Sequence, residues 1–437
     1  MNLNLRLNVV TSVAVFVANF LSVGVTYRLL VQVGGVESIG VWSSLIAWIF
    51  IIRIGDVGMT NGIIRFAAAY DVNQDASRIR GYVDTGIVFN AVLFGFLALL
   101  GWVAMDSNLA HILPEGSRYT SSVRPVLPIL FVVFYLQNLS GLALGALQAI
   151  HRGYVGSLIF LVATFVQLFI AVLLVPTMGF TGLAIAQVGQ YALMLITGWQ
   201  FYRCALARTS GQHVPLLPQL ASFSIIREIM SFGLKVQLVS FVNGLFEPLA
   251  KLLIGHAAGL QVLGLFEMAY KIVMLPRNAL VAGVLAVAPA KTRLFSSDPR
   301  AFRELHRKSN KLIVLAATAV LVVITLASPL ITTLWLGYQE PKLPHLIGIL
   351  AMGVWISAVS SPSYNLGMAT GAMRTNTEAA FIALGLLVLL MLPASLSGLD
   401  WPLILTVAVA IGASSAWVLW RTSYALWPTG VLGASAR

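Results

Sequence analysis

Twelve apolar runs, each long enough to cross a bilayer, dominate this 437-residue chain, at 9–31, 38–67, 80–104, 125–150, 156–176, 180–202, 229–255, 260–290, 311–336, 345–370, 379–397 and 402–424. A hydrocarbon core of about 30 Å is crossed by about 20 helical residues. Inside lipid the backbone must satisfy its own hydrogen bonds, and helices do so within one segment. An all-α polytopic membrane protein with twelve transmembrane helices is therefore predicted. Charged residues make up 10% of the chain, against roughly 25% in soluble domains, and little remains for an extramembrane domain.

The loops set the orientation. Seventeen Lys and Arg fall in segments on one side, among them Arg78, Arg80, Arg203, Lys291, Arg303 and Lys311, whereas the other side holds only Arg118, Arg124 and Lys342. The positive-inside rule puts the richer side, and with it both termini, in the cytoplasm. The first run exceeds a signal-peptide core and lacks a small-residue cleavage site, so an uncleaved first helix is expected. The net charge of +12 is thus membrane topology rather than a nucleic-acid footprint. Cys204 is the single cysteine, and the six histidines lack metal-ligand spacing. No metal, cofactor or disulfide is expected.

The chain also repeats itself. At an offset of 224, Asn19 meets Asn243, Gly35 meets Gly259, Gly40 meets Gly264, Trp42 meets Phe266 and Arg53 meets Arg277. At 226, the small-residue face Gly141-Leu-Ala-Leu-Gly145 meets Gly367-Met-Ala-Thr-Gly371. Such order implies duplication, with two six-helix lobes sharing one orientation. The lobes are read as 1–205 and 229–437, joined by a cytoplasmic linker at 206–228 containing Pro215 and Pro218.

No Gly-Lys dipeptide occurs, so a phosphate-cradling P-loop is absent. The longest outside segment, from Met105 to Arg124, offers only Asp106, His111 and Glu115 as catalytic candidates. The chain is read as a non-enzyme. Ionisable residues within the membrane are more informative, because each costs about 2.5–3.5 kcal/mol at a helix centre unless it meets water or a partner. Glu247 and Lys251, Glu267 and Lys271, and Arg53 and Asp56 are spaced to neutralise one another on shared helix faces. Arg65 and Lys235 lie near helix ends and can snorkel. Arg277 differs: it follows Pro276 in mid-helix and has no acid three or four positions away. A guanidinium grips phosphate oxygens in a bidentate manner, so Arg277 and its repeat partner Arg53 are the leading anion-binding candidates. For a coupling cation, Glu247 beside Pro248 is the first carboxylate, with Asp56, Glu267 and Asp84 behind it.

The first helix ends in Arg28, the turn Gly34-Gly35-Val36-Glu37-Ser38-Ile39-Gly40-Val41-Trp42 follows, and Arg53-Ile-Gly-Asp56-Val-Gly58 runs on to Arg65. This pattern resembles the bacterial polysaccharide flippases, the O-antigen and exopolysaccharide translocases of the multidrug/oligosaccharidyl-lipid/polysaccharide (MOP) exporter superfamily. The segment Gly264-Leu-Phe-Glu-Met-Ala-Tyr270-Lys271 looks like the family's Gly-x-Tyr region, and the likeness extends over residues 8–395. The resemblance implies two lobes around a cationic cavity and a polyprenyl-diphosphate-linked oligosaccharide as substrate, moved to the outer leaflet of the bacterial inner membrane. It assigns the diphosphate to Arg53 and Arg277, with Arg28 and Lys251 assisting, and implies glycosyltransferases and a polymerase as pathway partners of a monomeric carrier. Two other readings stay open. Multidrug exporters of the superfamily often carry a first-helix carboxylate, which this chain lacks; a membrane scaffold would have no need of buried arginines.

Overall fold

The computed structural model describes residues 3–53, 59–113, 118–211, 213–370 and 374–426. The expected run 38–67 is divided between two helices and the runs 229–255 and 260–290 fall in one element; the helices are α1 (Leu3–Gly34), α2 (Val36–Ile52), α3 (Met59–Ala67), α4 (Ala76–Ser107), the short α5 (Leu109–Ile112) and α6 (Thr120–Val123), α7 (Leu127–Ala149), α8 (Gly153–Met178), α9 (Phe180–Ser210), α10 (Phe223–Ser297), α11 (Pro299–Leu336), α12 (Lys342–Thr370), α13 (Arg374–Leu396) and α14 (Asp400–Leu426). No strand occurs among the described residues. Ten helical spans are long and apolar enough to cross a membrane, and α2 is a shorter apolar helix.

One of the ten, Phe241–Leu285, has 45 residues. At 1.5 Å per residue it would stretch roughly 68 Å, twice what one crossing needs. It is broken at Gly259, whose φ of 81° and ψ of 175° are non-helical, so it supplies two crossings and brings the number to the twelve expected. Gly35, the repeat partner of Gly259, separates α1 from α2 with φ 72° and ψ −170°. Only glycine takes this region at low cost. The two halves therefore turn between their first and second helices with the same rare backbone conformation.

Packing repeats as well. In the first half α4 lies on α7, α7 on α9 and α8 on α9; in the second half α11 lies on α12, α12 on α14 and α13 on α14. The fold is two six-helix lobes related by an internal repeat. The small-residue face of α7 is used at one end only: a Cβ on Gly145 would sit 3.1 Å from Thr60 Cγ2 of α3, whereas Gly141 faces open space. Its counterpart Gly371 lies outside the described residues. The tightest crossing in the second half was not anticipated. It puts Gly353 of α12 against the backbone of α14, where a Cβ would fall 2.2 Å from the Ala408 carbonyl oxygen.

The chain divides into two compact units, Met1–Phe241 and Val242–Arg437. Several helices run past the apolar stretches that announced them. α11 begins at Pro299 rather than near 311, because Asp298 caps it by accepting from the backbone N–H groups of Arg300 and Ala301 at 3.0 Å. Likewise α9 continues to Ser210 and α10 starts at Phe223, so the linker between helices is shorter than the expected 206–228.

That linker belongs to the first unit and is strapped to α4 and α9. Asp84 Oδ2 on α4 accepts from the backbone N–H groups of Gln219 (2.9 Å) and Leu220 (3.1 Å) and from Arg80 Nε (3.2 Å). Thr85 Oγ1 accepts from Ser222 N–H, and Arg203 on α9 donates to the carbonyls of Val214 and Pro215. Asp84 is only 1% exposed, and three donors converge on its Oδ2, so its candidacy as a coupling site gives way to this structural role. Replacing Asp84 by Ala leaves Arg80 Nε and two backbone donors without this acceptor; loss of one partner of a buried charge network costs about 3–5 kcal/mol. The expected result is faster limited trypsin cleavage at Arg208 and Arg227 in the variant than in the wild-type protein.

Candidate functional site

In the second unit, the segment of α10 after Gly259 carries Arg277. Its Nη2 donates to Ser357 Oγ of α12 at 3.0 Å and its Nη1 to Asn278 Oδ1 at 3.2 Å. Its Nε is buried without a hydrogen-bond partner. No carboxylate pairs with it among the described residues. Tyr270 and Tyr364 are its electrostatic neighbours, and a side-chain hydrogen bond joins Tyr364 to Asn243. Asn376 of α13 donates to the Tyr364 carbonyl at 3.0 Å. This is a cation set among neutral hydroxyls and amides. Chemically it can accept an anion without displacing a counter-ion first.

The sequence singled out Arg277 but passed over Ser357. The available signal was the polar run in α12, where Ser357, Ser360, Ser361 and Ser363 are all buried. Ser360 and Ser361 return their hydroxyls to the carbonyls of Ser357 and Ala358, which leaves Ser357 to meet the guanidinium.

Next to the Gly259 break, the two segments of α10 share a four-membered ion network. Lys251 Nζ lies 2.6 Å from Glu247 Oε1 and 2.8 Å from Glu267 Oε2, while Lys271 Nζ lies 2.9 Å from Glu247 Oε1 and 3.7 Å from Glu267 Oε1. Both pairs expected four residues apart form, and two further contacts cross between the segments. The network is neutral, and Lys251 and Glu267 are only 5% and 2% exposed. Lys251, expected to assist with a diphosphate, is instead occupied by two carboxylates.

In the first unit, Arg53 is half-buried at the C-cap of α2 with its backbone N–H bonded to Ile49 O, and its charge reaches Tyr191 of α9. Arg28 is exposed on α1. Asp56 and Gly58 lie outside the described residues. No group of three or more His, Cys, Asp or Glu among the described residues is arranged to hold a metal ion.

The family model for polysaccharide biosynthesis proteins matches residues 46–339, two-thirds of the chain. The chain belongs to this family. A search of curated proteins finds no sequence match. Solved structures share the fold of this polysaccharide biosynthesis protein at low identity. The lipid II flippase MurJ in an inward closed conformation is 13% identical with a TM-score of 0.72, covering 95% of this chain and 87% of its own. An inward-facing multidrug resistance MATE family transporter of the MOP superfamily is 14% identical with a TM-score of 0.69, covering 99% and 97%. A MOP superfamily transporter from Pyrococcus furiosus, also 14% identical at 0.69, covers 96% and 95%. The multi-pass MOP-type architecture is thereby established.

Surface charge in this polysaccharide biosynthesis protein is distributed unevenly. The three cations of the sparse side are all paired: Arg118 with Glu37 at 2.7 Å, Arg124 with Asp106 at 2.9 Å and Lys342 with Asp400 at 2.6 Å. Arg118 also donates to the Tyr119 hydroxyl, which itself donates to Gly34 O and fastens the turn ahead of Gly35.

Proposed function

We propose that this protein is a flippase that carries a polyprenyl-diphosphate-linked oligosaccharide from the cytoplasmic to the outer leaflet of a bacterial inner membrane by alternating access. The observation that carries this reading is Arg277: a guanidinium within a membrane helix whose partners are hydroxyl and amide groups rather than carboxylates. Charge-assisted hydrogen bonds to a diphosphate would satisfy its open Nε and offset the cost of holding a cation there. Membership of a polysaccharide biosynthesis family supports a lipid-linked sugar intermediate as that anion.

In this reading Arg53 supplies the matching guanidinium from the first unit, and Arg28 assists from its exposed position on α1. Lys251 acts indirectly by holding Glu247 and Glu267 in place. Both termini are cytoplasmic, no nucleic acid or cofactor takes part, and a monomer suffices. Glycosyltransferases that build the lipid-linked unit and a polymerase that consumes it are the pathway partners. If an ion gradient contributes, Glu247 is the first coupling carboxylate, followed by Glu267 and Asp56.

Substrate class separates this reading from a multidrug exporter. Detergent-solubilised protein is titrated with undecaprenyl diphosphate, undecaprenol and the cation tetraphenylphosphonium. The diphosphate is expected to bind about a hundredfold more tightly than the neutral alcohol, the worth of two charge-assisted hydrogen bonds. Binding of the cation with none of the diphosphate would reassign the protein to cationic drugs.

A further inference from the structure

A second cationic site lies away from Arg277, where α10 ends and α11 begins. The two helices meet at the corner at Asp298, and each brings a stripe of residues spaced by four. On α10 the stripe is Lys291 and Phe295; on α11 it is Phe302, His306 and Asn310. Phe295 packs edge-on against Phe302 with ring centroids 5.3 Å apart, and Phe302 stacks on the His306 imidazole at 5.9 Å. This register brings Lys291 within electrostatic reach of His306.

The polar ends of these stripes are buried and unmet. Lys291 is 3% exposed and His306 7%, yet Lys291 Nζ, His306 Nδ1 and Asn310 Oδ1 have no hydrogen-bond partner. His306 Nε2 lies 3.1 Å from Asn310 Nδ2. With that amide donating, Nε2 is the acceptor and the imidazole proton sits on Nδ1. Two donors, Nδ1–H and the Lys291 ammonium, then lack an acceptor. Turning the amide over leaves the same number, since Asn310 Nδ2 replaces Nδ1 as the idle donor. Burial without a counter-ion also pushes the Lys291 ammonium down to about 8. No acid on either stripe faces it: Asp298 is spent on capping α11, and Glu304 is exposed and paired with Lys308.

Outside the corner, Arg293, Arg300, Arg303, Arg307, Lys308 and Lys311 crowd the same end of the two helices. They provide a field that concentrates anions at this end. A phosphate group has the charge and the acceptor oxygens to engage both buried donors. We propose that Lys291, His306 and Asn310 form a phosphate-binding site at the α10–α11 corner, distinct from Arg277 and independent of the substrate carried. The site takes the phosphate of an inner-leaflet lipid headgroup or a soluble phosphorylated ligand as the corner opens to admit it, and so ties the conformation of this helix pair to its occupant.

The test measures the melting temperature of full-length protein in detergent. One arm titrates inorganic phosphate against sodium chloride at matched ionic strength; the other titrates dihexanoyl phosphatidic acid against dihexanoyl glycerol. A rise with both, or with either alone, that Lys291→Met weakens supports the site and names the source, because a ligand that binds only the folded state stabilises it. Lys291→Met should weaken half-saturation about tenfold or more without lowering the ligand-free melting temperature, since it removes an unpaired buried cation. His306→Leu tests the second donor independently and should weaken it in the same direction. Arg277→Ala should keep the shift. No rise in either arm overturns the proposal, as does a rise that survives Lys291→Met and disappears in Arg277→Ala.

Discussion

Arg277→Ala is expected to reduce transport of the lipid-linked sugar about a hundredfold or more, the worth of two charge-assisted hydrogen bonds to the diphosphate. The variant should nevertheless fold and reach the membrane at wild-type levels. Arg277 has no carboxylate partner to strand, and deleting an unpaired cation from a helix interior removes a cost of about 2.5–3.5 kcal/mol. Arg277→Lys should recover only part of the activity, because a point charge loses the two-pronged grip and the Ser357 contact that orients it. The check is a transport rate normalised to membrane-inserted protein. Full activity in the alanine variant removes Arg277 from the site.

The opposite pattern is expected at Lys251. Its ammonium lies between Glu247 and Glu267, so Lys251→Met leaves the two carboxylates sharing Lys271 alone, an uncompensated buried charge that costs about 3–5 kcal/mol. The loss should appear as lower protein levels and a lower melting temperature, with transport per folded molecule less affected. Adding Glu247→Gln restores neutrality and leaves Glu267 with Lys271, four residues apart on one face. The double variant should therefore recover most of the stability, a non-additivity that a double-mutant cycle reads directly. If Lys251→Met keeps normal stability and loses transport, Lys251 belongs to the substrate site after all.

These two residues also mark the limit of what the sequence discloses. Helix number, the turns at Gly35 and Gly259 and the solitary state of Arg277 were legible, because crossing length, repeat offset and i,i+4 spacing are one-dimensional quantities. The pairs Glu247–Lys251 and Glu267–Lys271 were legible for the same reason, but their fusion into one network depends on two segments folding back at Gly259. Asp84 showed only its pairing with Arg80, four residues away, whereas the strap it forms depends on backbone N–H groups 135 and 136 residues away. Backbone donors carry no residue-type signature. Lys291 passed as one more basic loop residue until the aromatic contact of Phe295 with Phe302 fixed the register that buries it.

The central claim concerns an anion moved outward, and the membrane potential tests it most directly. A diphosphate bearing about two negative charges gains roughly 4–5 kcal/mol per 100 mV on leaving a negative interior, and the unloaded cationic carrier is drawn back inward by the same field. The measurement is the appearance of the lipid-linked oligosaccharide in the outer leaflet of proteoliposomes, with a potassium diffusion potential imposed and no sodium or proton gradient. An inside-negative potential should accelerate outward flipping, reversing its sign should slow it, and Arg277→Ala should abolish both responses. Rates that follow a sodium or proton gradient and ignore the potential would contradict this account and make Glu247 the first residue to test for coupling.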